Sequence, residues 1–439
     1  MSNDGVLRNL RRQHELRVLT TLAERGPCSR RELEIATALS RTTMSAIVAD
    51  LVRRRAVVDD AQRPASGRGR PTTLVRLNPR AASAVGVELG RGHVSVAVVD
   101  IARTVLAHAT EPVAGGDGLP ARMDAALALL DRVTSEGGLV IDGLRGAGLG
   151  LWGHHPDPRA GAEPSGGPVG EEPDGDPVLA ESADGSSVAG PDSDPVVAGL
   201  VGRLYGALGA PVVWDHNIRL AAVAERHATQ APACADLVYV ALSHGVGSGV
   251  LVNGTPARGA SGTAGELGHV SVEPEGPPCW CGGRGCLERY LSVDAVLRRA
   301  GEVAPEVADI AGLVAALDRG DRPVREVVDR SAELLCRALS MVVTLLDPRE
   351  VVIGGELAEL GEHLLGPVRA SLARRRLSTR DRRLDLRTAR VAQGAAAVGA
   401  ALIALNEYAS IHDLDDQAVP APASDGAVAS AAADLCSGS

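Results

Sequence analysis

The chain has 439 residues, 45% hydrophobic and 23% charged, enough to build two or more buried cores, and its composition excludes a disordered polyelectrolyte. All 45 basic residues are Arg and the formal net charge is −10, yet residues 1–80 hold 16 Arg against 8 acids, leaving +8 there and −18 in the remainder. No apolar run approaches the ~18 uncharged residues of a membrane span, and the first fifteen residues lack a signal-peptide core, so the expectation is a cytoplasmic protein without membrane insertion.

A basic head on an acidic body predicts nucleic-acid contact by the head. Residues 10–77 read as three helices and a two-stranded wing. Ser29-Arg30-Arg31-Glu32 has capping-box form and opens a helix from Arg30 to about Ala38. Ser40 caps a second helix whose apolar stripe is Met44, Ile47, Val48 and Leu51. Arg41 at its start, with Thr42, Thr43 and Ser45, forms the face expected to enter a DNA major groove, in the geometry of a winged helix-turn-helix. Val57–Val58 and Leu74–Leu77 can pair as wing strands. The tip between them carries Arg68-Gly69-Arg70-Pro71, whose arginines suit a narrow minor groove.

Val85–Val99 then predicts two strands around a glycine turn, and strand–helix alternation to about residue 150 indicates an α/β body. Residues 156–195, rich in Pro, Gly, Ser and acids, read as a mobile surface excursion. Alternation resumes at Val212–Trp214 and runs to about residue 408. The chain therefore divides into a DNA-binding domain over 1–80, an α/β domain over 81–410 and a disordered tail over 411–439.

Seven cysteines are present, and three of them fall within eight residues, in Cys279-Trp280-Cys281-Gly282-Gly283-Arg284-Gly285-Cys286-Leu287-Glu288. Gly265-Glu266-Leu267-Gly268-His269 precedes them. Three thiolates and one imidazole make a four-ligand tetrahedral set with no position left for a water nucleophile. His269, Cys279, Cys281 and Cys286 are thus expected to hold a structural Zn2+.

The glycine- and arginine-rich wing, the Val85–Gly90 strand and this cysteine cluster together resemble the ROK family of sugar kinases and sugar-responsive repressors, over about Leu10 to Tyr408. The resemblance implies an actin/hexokinase-like pair of ribonuclease-H-like lobes behind a winged helix-turn-helix. It further implies sugar contacts from Glu266, His269 and Glu288, and a homodimer or homotetramer. Family kinases carry an Asn-Asp pair whose Asp is the general base. In the matching stretch, Asp215-His216-Asn217-Ile218, His216 and Asn217 occupy those two positions. A neutral amide cannot take up a proton near pH 7, so sugar binding by His216 and Asn217 without chemistry is expected. Asp215 and His216 are off-register alternatives as base. The first phosphate turn reads Glu88-Leu89-Gly90-Arg91-Gly92 in place of Asp-x-Gly-Gly-Thr, and the second, His244-Gly245-Val246-Gly247-Ser248-Gly249, has His for Thr. The resemblance thus implies a repressor with operator DNA and a sugar or sugar derivative as partners and no enzymatic activity. An active ATP-dependent sugar kinase, or a regulator controlled by a protein partner, are the alternatives.

Overall fold

In the computed structural model, the described residues are 11–63, 72–153, 195–229, 236–374, 384–391 and 394–408, apart from positions 12, 16, 20, 24, 115, 140 and 142. The expectations for Arg68 and Arg70, for the excursion up to residue 194, and for the tail lie outside them. Two compact units result: residues 1–151, 200–215 and 397–439 in one, residues 152–199 and 216–396 in the other.

The first unit begins with helix α1 (11–25), strand β1 (Cys28–Ser29), α2 (Arg30–Thr37) and α3 (Arg41–Arg53). The capping box forms as predicted: the Ser29 hydroxyl accepts from the Glu32 amide, and Glu32 accepts from the Ser29 amide. Ala38, in the left-handed region at φ 55°, ends α2, and Ser40 caps α3. The chain bends by 117° between the two helices, within the range for a helix-turn-helix. Met44, Ile47, Val48 and Leu51 are all buried. Strands β2 (Val57–Arg63) and β3 (Thr72–Leu77) form the wing, and β1 adds a third strand along β3 that two residues of sequence could not announce. Arg54 ties α3 back to α1 through Glu15.

The head does not end at the wing. Ala81, Ala82 and Ile101 belong to the same apolar cluster as Leu33, Met44 and Val75. Ile101 sits in the turn between β5 (His93–Asp100) and β6 (Val105–Pro112), two strands of the next sheet. That sheet runs β6-β5-β4-β7-β8, with β4 (Ser83–Leu89), β7 (Leu144–Leu151) and β8 (Val212–His216). β4, β5 and β6 are antiparallel, and β7 joins β4 in parallel. Helix α4 (Leu119–Glu136) packs on it. Across β4 and β7, Gly86 and Gly148 are paired, and a methyl group on either would overlap a backbone carbonyl, that of Ala397 or that of Ala400. Both carbonyls belong to α12 (Ala395–Tyr408), so two missing side chains let this helix lie directly on the sheet. Helix α5 (Pro195–Leu208) adds Arg203, which pairs with Asp124 of α4.

The second unit repeats the pattern. Its sheet runs β11-β10-β9-β12-β13, from β9 (Leu237–Leu242), β10 (Val246–Val252), β11 (Thr255–Pro256), β12 (Glu350–Gly354) and β13 (Asp385–Thr388). Numbered from its own first strand, each sheet has the order 3-2-1-4-5, antiparallel through the first three strands and parallel from the first to the fourth. This is the duplication expected of two ribonuclease-H-like lobes. Around the second sheet lie α6 (Asn217–Ala228), α7 (Glu288–Leu291), α8 (Val293–Val303), α9 (Ile310–Asp318), α10 (Arg322–Leu346) and α11 (Glu362–Arg374). Among the described residues no single helix is long and apolar enough to cross a membrane.

Asp100, which ends β5 beside Ile101, is 1% exposed. Burial pushes its carboxyl up to about 6, against the opposing pull of the Thr104 and Ala102 amides and of Arg76 on the wing. The folded state therefore holds this proton more tightly than the unfolded chain. Its contribution to stability falls as pH rises from about 4 to 6, then levels off. Asp100→Asn, which retains an acceptor for the Thr104 amide, should gain roughly 2–3 kcal/mol over the parent chain between pH 4 and pH 7. Urea unfolding across that range checks it; a pH-independent difference would refute it.

Candidate functional site

The site is built on β10 and the chain that follows it. Ser248 anchors the approach: its amide and its hydroxyl both donate to the Gly265 carbonyl. This presses the turn Gly265–His269 against the strand and holds Glu266 and His269 at its surface. The chain then forms a clip. Ser271 bridges to Cys286, the Val272 amide donates to Gly285 O, and the Leu287 amide returns to Val270 O. Within the clip Gly282 and Gly285 take φ of +84° and +61°, the left-handed turns that aim three sulfurs inward.

His269, Cys279, Cys281 and Cys286 meet as expected, with all four potential ligand atoms within 4.8 Å of one another. Cys281 Sγ lies 3.6 Å from Cys286 Sγ, and Cys279 Sγ lies 3.7 Å from His269 Nδ1. A tetrahedral cation bonded to sulfur at about 2.3 Å requires ligand separations of about 3.8 Å, so the donor set fits a metal ion. Burial raises the Cys279 thiol, against the pull of the Cys281 amide and the Cys286 thiol, and pushes Cys286 up to about 12, where both neighbouring thiols add to the rise. A metal must therefore displace protons to bind.

His269 uses its two nitrogens in different directions. Nδ1 faces the sulfurs, while Nε2 faces Glu266 Oε2 at 3.9 Å. Trp280, between two of the cysteines, meets the His269 ring edge-on at 4.6 Å and donates its indole N–H to Glu288 Oε1 at 3.0 Å. The other Glu288 oxygen accepts the Val246 amide at 2.9 Å. Glu288 is thus a fixed acceptor rather than a swinging one. Trp280 was not singled out from sequence, although a Trp between two cysteines of such a cluster is a usable signal.

His216 and Asn217 stand at the junction of β8 and α6. His216 is the residue before the helix, held by a contact of its Nδ1 with the Gly153 carbonyl at 3.0 Å, and Asn217 opens the first turn. Ile218 follows and lies on Gly247, next to the Val246 whose amide Glu288 holds. Gly247 and Gly249, read from sequence as part of a phosphate loop, lie within β10 and make room for α6: a side chain on Gly249 would press on the Ile218 carbonyl and on Ala222. Asp215, the off-register alternative base, is 2% exposed and shares its face of β8 with buried Val213, opposite His216. In the other unit the turn Glu88–Gly92 is closed by the buried Arg122, which donates to Gly90 O at 2.7 Å. The Glu88 carboxylate is itself buried, with His93 Nε2 at 3.3 Å. In the head, Arg41, Thr42 and Ser45 are exposed on α3 and Thr43 is half-buried, its hydroxyl on Ser40.

The sequence profile of the ROK family matches residues 183–407. Over 367 residues the chain is 26% identical to the DNA-binding transcriptional dual regulator NagC of Escherichia coli K12, covering 79% of this chain and 81% of that one. Against the glucokinase of Thermotoga maritima identity is 38%, over 147 residues that make up 30% of this chain and 46% of the enzyme. The crystal structure of a ROK family transcriptional regulator, a homologue of the E. coli Mlc protein, superposes with a TM-score of 0.66 at 23% identity. It covers 90% of this chain and 96% of its own, and the two share a fold.

Because binding must drive protons from buried thiols, metal affinity should fall steeply as pH drops below neutrality. The purified chain should carry one divalent ion by elemental analysis, and Co2+ exchanged into it should show the intense visible bands of a tetrahedral thiolate site. Cys286→Ser should lose most of that signal. Retention of the full signal by that variant would exclude Cys286 as a ligand.

Proposed function

The chain belongs to the ROK family, and from that premise we propose that it is a sugar-responsive transcriptional repressor of the cytoplasm. Its head binds operator DNA, and its body binds a sugar or sugar derivative without phosphorylating it. The observation that carries this reading is the head itself. Capped helices meeting at a helix-turn-helix angle bury one stripe of α3 and leave Arg41, Thr42 and Ser45 exposed at the end that would enter the major groove. Arg68 and Arg70 would add minor-groove contacts from the wing tip.

In the body, Glu266, His269 and Glu288, with His216 and Asn217, would hydrogen-bond sugar hydroxyls. A hydroxyl both donates and accepts, so carboxylates, imidazole and amide suit it together. The cation is proposed to be zinc, which thiolate and imidazole favour. It would fix the tautomer and orientation of His269 and take no part in chemistry. Local identity to a glucokinase favours a kinase reading, but the general base such a reaction needs is here an amide, Asn217, and the neighbouring Asp215 is buried on the other face of its strand.

Ligand and DNA are coupled only if the sugar binds more tightly to the arrangement that releases the operator. A duplex selected in vitro against the full-length chain should lose affinity linearly with log salt, with a slope corresponding to several displaced counterions. Arg41→Ala should weaken that duplex by about tenfold or more. A flat salt dependence would refute the assignment of the head. In a coupled ATPase assay over hexoses, N-acetylhexosamines and pentoses, turnover should stay far below about 1 s⁻¹, and Asn217→Asp should not raise it to an ordinary enzymatic rate. A phosphorylated monosaccharide formed in step with nucleotide consumption would overturn the reading.

A further inference from the structure

Among the described cysteines, Cys28, Cys279, Cys286 and Cys336 are buried and Cys281 alone is exposed. A closed structural metal site needs no opening at its ligands, so holding a cation does not account for this one. The local backbone makes the opening. Gly282 N donates to Cys279 O at 3.1 Å, which places Trp280 and Cys281 at the tip of a tight turn. A side chain on Gly283 would lie 3.3 Å from Cys286 Sγ and 3.4 Å from Cys281 Sγ, and one on Gly282 would meet nothing within 4 Å. Two missing side chains thus leave the approach to Cys281 clear, with the buried Cys286 Sγ 3.6 Å from its sulfur.

The two sulfurs are unequally held. Cys286 bridges to Ser271 and follows Gly285, which is packed against the Glu273 carbonyl with no room for a side chain. Cys281 sits on the free tip, and three of the four residues between the two cysteines are glycines. A disulfide of about 2.05 Å needs the sulfurs to close by about 1.5 Å, a movement that falls on the tip. An exposed thiol with a second thiol in reach can capture a peroxide and resolve the product. We propose that Cys281 and Cys286 form a peroxide-reactive pair, with Cys281 as the site of oxidation and Cys286 as the resolving thiol. The Cys281 thiolate attacks one oxygen of hydrogen peroxide, the O–O bond breaks, and hydroxide departs, giving a sulfenic acid. The Cys286 sulfur then attacks the Cys281 sulfur; the S–O bond breaks and a second hydroxide departs. Two thiolates lose two electrons, and the peroxide, with two protons, becomes two waters. The disulfide withdraws two of the four donors, and Cys279 and His269 alone hold a cation far more weakly. Because Trp280 shares the turn, movement of its tip also carries the indole that holds Glu288. Loss of metal rests on the zinc assignment proposed above; formation of the disulfide does not.

Peptide mass spectrometry of the zinc-loaded, full-length chain after hydrogen peroxide treatment tests this. Trypsin cuts after Arg258, Arg284 and Arg289, so a bond from Cys281 to Cys286 joins peptide 259–284 to peptide 285–289. That joined mass should appear about tenfold or more faster than oxidation of the buried Cys336, and dithiothreitol should reverse it. Zinc released to a chromophoric chelator should match the joined peptide mole for mole. Cys279→Ser should still give the joined peptide, and Cys281→Ser should not. Absence of the joined peptide from the parent chain, or its persistence in Cys281→Ser, overturns the proposal, as does direct passage of Cys281 to a sulfinic acid. A chain that forms the disulfide yet releases no zinc supports the pair and counts against the metal assignment alone.

Discussion

The candidate site in the second unit depends on one imidazole being held from two sides. His269 gives Nδ1 to a cluster of three sulfurs and turns Nε2 toward Glu266, while Trp280 fixes the ring edge-on and holds Glu288 by its indole N–H. A metal ion drawing these four residues together would align, through a single ring, side chains that are separated in sequence. Were these acceptors to receive a ligand, as proposed, they would be directed before it arrived, and the conformational cost of organising them would be met during folding rather than at binding. Glu288 has both oxygens engaged by protein donors, so its remaining lone pairs point where the fold dictates.

On the proposed reading, the framework behind this site is kept where the general base is not. Glu225, on α6, is 0% exposed and receives the Arg387 guanidinium together with the Arg390 and Val391 amides, and Arg387 also reaches Glu350. Removing one partner from such a network would strand a buried charge, at a cost of several kcal/mol. Selection on folding alone is enough to retain it. The residue that opens the same helix, Asn217, meets no such demand, and there carboxylate and amide are sterically equivalent. Structural constraint and chemical constraint separate within a dozen residues of one helix.

Much of the fold was legible because the signals are local. The hydroxyls of Ser29 and Ser40, the carboxylate three residues after Ser29 and the stripe from Met44 to Leu51 act within one or two helical turns, and their spacing alone predicts their roles. The clustering of His269, Cys279, Cys281 and Cys286 was legible too, because three of the four fall within eight residues. What escaped depends on partners distant in sequence. β1 is a strand only because β3 lies beside it. Arg122 closes the Gly90 turn from 32 residues away. Gly247 and Gly249 read as a ligand loop, yet what they accommodate is the approach of Ile218 and Ala222 on α6. A glycine records that something comes close without recording what it is.

The apolar interior of the head is completed from beyond the wing, since Ile101 from the β5–β6 turn and the Ala81–Ala82 link belong to the same cluster as Leu33, Met44 and Val75. A severed fragment ending at the wing would carry an open hole where those three side chains belong. Anyone grafting this head onto a different domain, to build a chimera, would have to transplant the tip of that turn as well or supply a substitute for it. The splice point for such hybrids is therefore a surface rather than a position in the chain, and a crossover at a single junction would yield an unstable product.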